Sequence, residues 1–201
     1  MKILFTICIL TISTMCFSQQ HSETKFIKVG QTAKDTNSSI QQSAKTAIDF
    51  LKWYRDNRKR LIKIQLVNNE DNAGKDKYDT TKFYSVNFDS VEKYLNEFRQ
   101  SGYVSDTYID KWKQYFKKCD EQFKKSPQND GIPDGFEYDF VMLTQEFQEQ
   151  LSNLNKIKLI INTDNIDKDK AIVEIQLYSF GRLTFSLTKY DRRWKIDDIK
   201  K

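Results

Sequence analysis

From Lys156 onward, apolar and polar residues alternate with a period of two. Ile157, Leu159 and Ile161 mark one run, Ala171 to Tyr178 a second, Leu183 to Tyr190 a third and Trp194 to Ile199 a fourth. Gly181 and the Asp191-Arg192-Arg193 cluster separate the last three. Alternation broken by turn residues predicts antiparallel strands with one buried face. The N-terminal half has a different rhythm. Ala44, Ala47, Ile48, Leu51 and Tyr54 share one helical face, with Phe50 and Trp53 beside it. Ser38 or Ser39, with Gln41 or Gln42 three residues on, predicts a capping box at the start of this helix. Its pattern fades near Asn57.

Leu61 to Val67 alternates, as does Phe83 to Phe88, which predicts two strands that pair across the Asn-, Asp-, Gly- and Lys-rich loop at 68–77. Asp89 and Glu92 open a second helix with Val91, Tyr94, Leu95 and Phe98 on its apolar face, and Gly102 closes it. Ser105 or Asp106 caps a third helix that ends near Lys125, because Pro127 forbids its continuation. The segment 19–43 is polar apart from Phe26 to Val29, a candidate short strand, and is expected to be a flexible N-terminal arm. The whole reads as an α+β protein with a single core. N-terminal helices pack on an antiparallel sheet of about four to six strands.

Residues 1–18 stand apart from this pattern. Lys2 precedes an apolar stretch from Ile3 to Phe17, and Cys16 and Ser18 place small residues three and one before Gln19. That arrangement predicts a signal peptide, with the mature chain starting at Gln19. The stretch falls short of the ~18–20 apolar residues needed to cross a bilayer, so no stable membrane insertion is expected after cleavage. Met15 stands where a lipoprotein signal has a small residue, which argues against lipidation at Cys16. The expected location is therefore outside the cytoplasm, periplasmic or secreted.

Export changes the cysteine reading, because only Cys119 survives cleavage and no internal disulfide can form. Trp112, Phe116, Cys119 and Phe123 lie on one helical stripe, so Cys119 is expected in the core. The formal net charge of the whole chain is +5. Arg55, Arg58, Lys59 and Arg60 cluster, as do Lys113, Lys117, Lys118, Lys124 and Lys125. Asp110, Asp120 and Glu121 interrupt the second group, and these charges read as solvated helix faces, with no nucleic-acid partner.

Specific chemistry is sparse. His21 is the only histidine, and neither a Gly-rich phosphate loop nor a nucleophile–base pair is visible, so no cofactor is expected. The turn-rich stretch 126–137 has partial calcium-loop spacing. With Gly131 at the sharp turn, Asp130 precedes it and Asp134 and Glu137 take the ninth and twelfth places. Ser126 and Gln128 then occupy the first and third positions, where carboxylates belong, and a plain turn explains the same residues.

Three segments carry a family resemblance: Ala47 to Tyr54, Glu137 to Glu146 with its Tyr138-Asp139 pair, and Arg193 to Ile199. Together they resemble a family of secreted bacterial proteins of unknown function. Its fold is the cystatin-like cone of nuclear transport factor 2 and ketosteroid isomerase. The match spans about residues 44–201, which makes that stretch the expected cystatin-like domain. The resemblance implies a long helix held in a curved antiparallel sheet, with a pocket at the open end and no established activity. Trp53, Tyr54, Tyr138, Asp139, Gln145 and Trp194 are the candidate pocket residues. The expected function is a non-catalytic binding module in the cell envelope for a small ligand or a protein partner. Dimerisation through the sheet faces is also plausible for such a fold. The alternative is an isomerase- or dehydratase-type enzyme using Asp139 as a buried base opposite a tyrosine donor.

Overall fold

The computed structural model describes residues 31–69, 82–160, 169–178 and 181–201, with side chains from Ser38 onward. The expected signal peptide at 1–18, the Phe26–Val29 strand and most of the loop at 68–77 lie outside the described residues. Within them the protein is α+β, with a four-stranded antiparallel sheet and a separate two-stranded one.

Helix α1, Gln31–Leu61, begins well before the expected capping box. Ser38 sits inside the helix and accepts from the Gln42 amide a turn later, so it does not act as a cap. Ile40 and Ser43, assigned from sequence to the flexible arm, are buried. Polar residues from Gln31 to Ser39 are compatible with helix; they simply carry no apolar periodicity to announce it. The C-terminal end also differs from expectation. Leu61 still belongs to α1, and Ile62 and Ile64 continue in helical turns, with Ile62 N–H donating to the Arg58 carbonyl at 3.0 Å. Strand β1 is therefore only Val67–Asn68, paired with β2, Ser85–Val86, as the alternation suggested.

Helix α2, Phe88–Ser101, is capped by the Asn87 side chain, which accepts from Ser90 N–H, and ends at Gly102 with φ 76°. Helix α3, Asp106–Lys125, is capped by Ser105. Its stripe of Trp112, Phe116, Cys119 and Phe123 is buried as expected. Asp120, grouped in the sequence with solvated charges, is also buried: it accepts the β2 amide of Val86 at 3.1 Å and pairs with Lys124 at 2.6 Å. Helix α4, Phe147–Ser152, and a 3-10 turn at Leu154–Lys156 were not anticipated. They bury Leu151 and Leu154.

The main sheet is a meander of β3, Lys158–Ile160; β4, Lys170–Gln176; β5, Arg182–Tyr190; and β6, Arg193–Lys200, in that order. Ala171, Val173, Ile175, Leu183, Phe185, Leu187, Trp194, Ile196 and Ile199 fill the inner face, against which α1 packs through β4 and β6. Ile196 and Ile199 are three residues apart, which strict alternation would place on opposite faces. A bulge resolves the conflict. Leu187 faces Ile196 while Ser186 faces Asp198, leaving Asp197 as the extra residue. Asp197 accepts from the hydroxyls of Ser105 at 2.5 Å and Thr188 at 2.6 Å. The connector between α2 and α3 also bonds to Ile196 on the free edge of β6, through the Tyr103 carbonyl and the Ser105 amide.

Aromatic side chains join these layers. Phe98 contacts Phe50, Trp53, Tyr54, Tyr94 and Tyr108, and Phe140 meets Trp112 and Phe116 edge-on. Such pairs add about 0.5–1.5 kcal/mol each beyond their burial.

Candidate functional site

The last turns of α1 carry Tyr54 and Arg58 one helical turn apart, so both face the same way. The segment from Phe136 to Phe147 has little regular structure and crosses in front of them. It is held by a turn around Asp139, whose carbonyl accepts from Leu143 N–H at 2.8 Å, with Leu143 at φ 53°. Between these elements lies a cleft of about 660 Å³. Phe136, Phe140, Phe147 and Tyr94 form much of its aromatic lining, and Lys63, Glu137, Tyr138 and Gln145 are also part of it.

The Asp139 side chain is only 2% exposed, and both its oxygens are engaged. Oδ1 accepts from the amides of Val141 at 3.0 Å and Met142 at 2.9 Å. Oδ2 accepts from the Tyr54 hydroxyl at 2.7 Å and from Arg58 Nε at 3.1 Å. The Arg58 guanidinium lies over the Phe147 ring, 3.7 Å from its centre. Burial, reinforced by Tyr94 and Asp139, pushes the Tyr54 phenol far above its ordinary pKa.

A second hydroxyl chain closes the other side. Tyr115 donates to the Gly135 carbonyl at 2.7 Å, and its oxygen lies 2.9 Å from the Tyr138 hydroxyl. With the Tyr115 proton committed to a carbonyl, Tyr138 must be the donor in that contact, and it presents only lone pairs to the cleft. Glu137 directs both carboxylate oxygens at Gly135 N–H, 3.0 Å away.

Gly135 itself has φ 87°, and an added Cβ would stand 2.9 Å from Cys119 Sγ and 3.1 Å from the Tyr115 hydroxyl. Gly135→Ala is expected to lower stability by about 2–3 kcal/mol, from backbone strain and crowding together. Thermal unfolding checks this, and an unchanged melting temperature would show that Tyr115 and Cys119 do not hold this turn.

The structure brings together Tyr54, Tyr138, Asp139 and Gln145 of the expected pocket residues, but not Trp53 or Trp194. Trp53 stacks on Phe50 and meets Phe98 edge-on. Trp194 is buried on the inner face of β6. The calcium spacing does not become a carboxylate cage. Asp130 accepts from its neighbour Gly131 N–H, Glu137 turns to Gly135, and the Gln128 side chain ties the loop at Asp130, Ile132 and Asp134. Among the described residues, no three His, Cys, Asp or Glu side chains converge as a metal site. Cys119 is buried, and burial raises its thiol pKa, leaving little thiolate for nucleophilic work.

Sequence reasoning missed Arg58, Tyr94, Lys63 and the three phenylalanines of the cleft. In the sequence Arg58 reads as one of a run of solvated charges, yet its side chain turns inward to Asp139. The i, i+4 spacing of Tyr54 and Arg58 was the one available signal. Comparison with known proteins gives no match to a family model, a curated protein or a solved structure. The fold and the site define an α+β protein with an aromatic cleft whose buried carboxylate is fully hydrogen-bonded.

Proposed function

We propose that this chain is an exported, non-catalytic binding module of the bacterial cell envelope, built on the cystatin-like cone it resembles, with the cleft beside Asp139 as its ligand site. Support for the cone comes from α1, which lies against the inner faces of β4 and β6, and from the bulge that bends the end of β6. The observation that carries the binding reading is the engagement of Asp139, the expected base, and of the tyrosines beside it. A general base needs a lone pair within reach of the substrate. The oxygens of Asp139 are taken by two amides, a phenol and a guanidinium. The protons of Tyr54 and Tyr138 are directed at Asp139 and Tyr115. What remains is a concave lining that mixes aromatic and aliphatic side chains with several polar and charged groups, a make-up able to hold and orient a small molecule.

Native mass spectrometry of the protein purified from its host is expected to show an adduct of small-molecule mass that denaturation removes, and N-terminal sequencing of the same sample is expected to start at Gln19. A bare chain in repeated preparations would overturn the binding reading. A cytoplasmic protein beginning at Met1 would overturn the export reading.

A further inference from the structure

The polar groups around the cleft are used unequally. Of its two acids, Asp139 has both oxygens engaged by protein donors, whereas Glu137 is exposed and its two oxygens share the single Gly135 N–H. Its donors are not used in the same way. Arg58 spends only Nε on Asp139, and among the described residues its Nη1 and Nη2 atoms make no hydrogen bond. The Lys63 ammonium likewise has no ion pair among the described residues. Tyr94 is 7% exposed and lines the same cleft, and its hydroxyl has no hydrogen-bond partner among the described residues. A phenol O–H that no protein acceptor uses is a ready donor to a ligand acceptor in the cleft. A planar guanidinium end with two free nitrogens matches a carboxylate, which it can hold through two parallel bonds.

We propose that the cleft binds a planar aromatic carboxylate, its acid group held by the Arg58 Nη atoms and the Tyr94 hydroxyl and its ring packed among Phe136, Phe140 and Phe147. This rests on the cleft being a ligand site, and it names the class of ligand. Lys63 at the rim adds a positive charge that favours an acid over an alcohol or an amine of the same shape. A cationic ligand would meet Arg58 and Lys63, with only the exposed Glu137 carboxylate to offset them.

Calorimetric titration with 2-naphthoate, 2-naphthylmethanol and 2-naphthylmethylammonium tests this directly. The acid is expected to bind at least about tenfold more tightly than the alcohol, and the amine more weakly than either. Tyr94→Phe removes only the unpaired hydroxyl. It is expected to leave the unfolding midpoint unchanged or higher while weakening naphthoate about tenfold, as loss of a hydrogen bond to a charged group does. Lys63→Gln is expected to weaken naphthoate about twofold and to flatten the salt dependence of its binding. Equal affinity for all three probes would overturn the carboxylate assignment and leave the cleft standing as a binding site. Naphthoate binding unchanged by Tyr94→Phe would place the acid elsewhere and overturn it too. If none of the probes bound, the assignment would fall, and the native mass spectrum would then decide separately whether the cleft holds any ligand.

Discussion

Asp139→Ala is expected to lower the free energy of unfolding by about 3–5 kcal/mol, the usual cost of removing one partner from a buried ion pair. The Arg58 side chain is only 19% exposed and would lose its counter-charge. The Tyr54 hydroxyl and the amides of Val141 and Met142 would lose their acceptor at the same time. Those two amides matter for the fold around the cleft, because they hold the turn that carries Phe140 and leads to Phe147. Asp139→Asn keeps an oxygen for the amides but presents an NH2 group toward Tyr54 and Arg58, so a loss of about 1.5–3 kcal/mol is expected. Tyr54→Phe removes one bond to a charged acceptor and belongs at the lower end of that range. Urea unfolding followed by circular dichroism gives all three values. An Asp139→Ala protein within about 0.5 kcal/mol of the parent would show that this cluster does not hold the segment in place.

Alkaline pH is expected to unfold the protein steeply from about pH 10 upward. Tyr54, Tyr94 and Tyr108 are buried, and burial pushes each phenol pKa above its ordinary value of about 10, Tyr94 well above it. Below pH 10 these phenols are protonated in both the folded and unfolded chains, so they add no pH dependence. Above it the unfolded chain releases protons that the folded chain keeps, and stability falls as pH rises until the folded-state pKa values are reached. Each retained proton contributes about 1.4 kcal/mol per pH unit, so three give a slope near 4 kcal/mol per unit. Melting curves recorded from pH 8 to 12 should show this drop. Phenolate absorbance of these residues should appear together with loss of structure, not before it. Titration of all the tyrosines while the circular dichroism stayed native would contradict their burial.

Most of the elements around the core were legible in the sequence because they depend on local periodicity. The two capped helices between Phe88 and Lys125, the Cys119 stripe and the strands of the C-terminal meander appear where the pattern placed them, whereas of the paired runs only Val67 and Ser85–Val86 are strand and Leu61 to Ile64 continue α1 and its turns. Apolar spacing reports which face of a segment avoids water, and that holds before any partner is known. The start of α1 was misjudged because a polar helix end has no apolar rhythm. The bulge at Asp197 was hidden because the extra residue matters only once Ser186 faces Asp198 and Leu187 faces Ile196.

The cleft was less accessible. Asp139 and Tyr138 were singled out, but the partners that define Asp139 stand 85 and 81 residues away, at Tyr54 and Arg58. An arginine within a run of basic residues carries no sign of whether it faces water or a buried carboxylate. The same holds for Tyr94, whose position on the apolar face of α2 predicts burial but not an unpaired hydroxyl at the cleft. Sequence alone therefore settled α2, α3 and the inward faces of β4 and β5, because neighbouring residues in one chain decide them. Only the packing of α1 and α2 against the Phe136–Phe147 segment decided which polar atoms are paired and which remain open, because hydrogen bonding depends on ångström-scale distances between segments far apart in the chain.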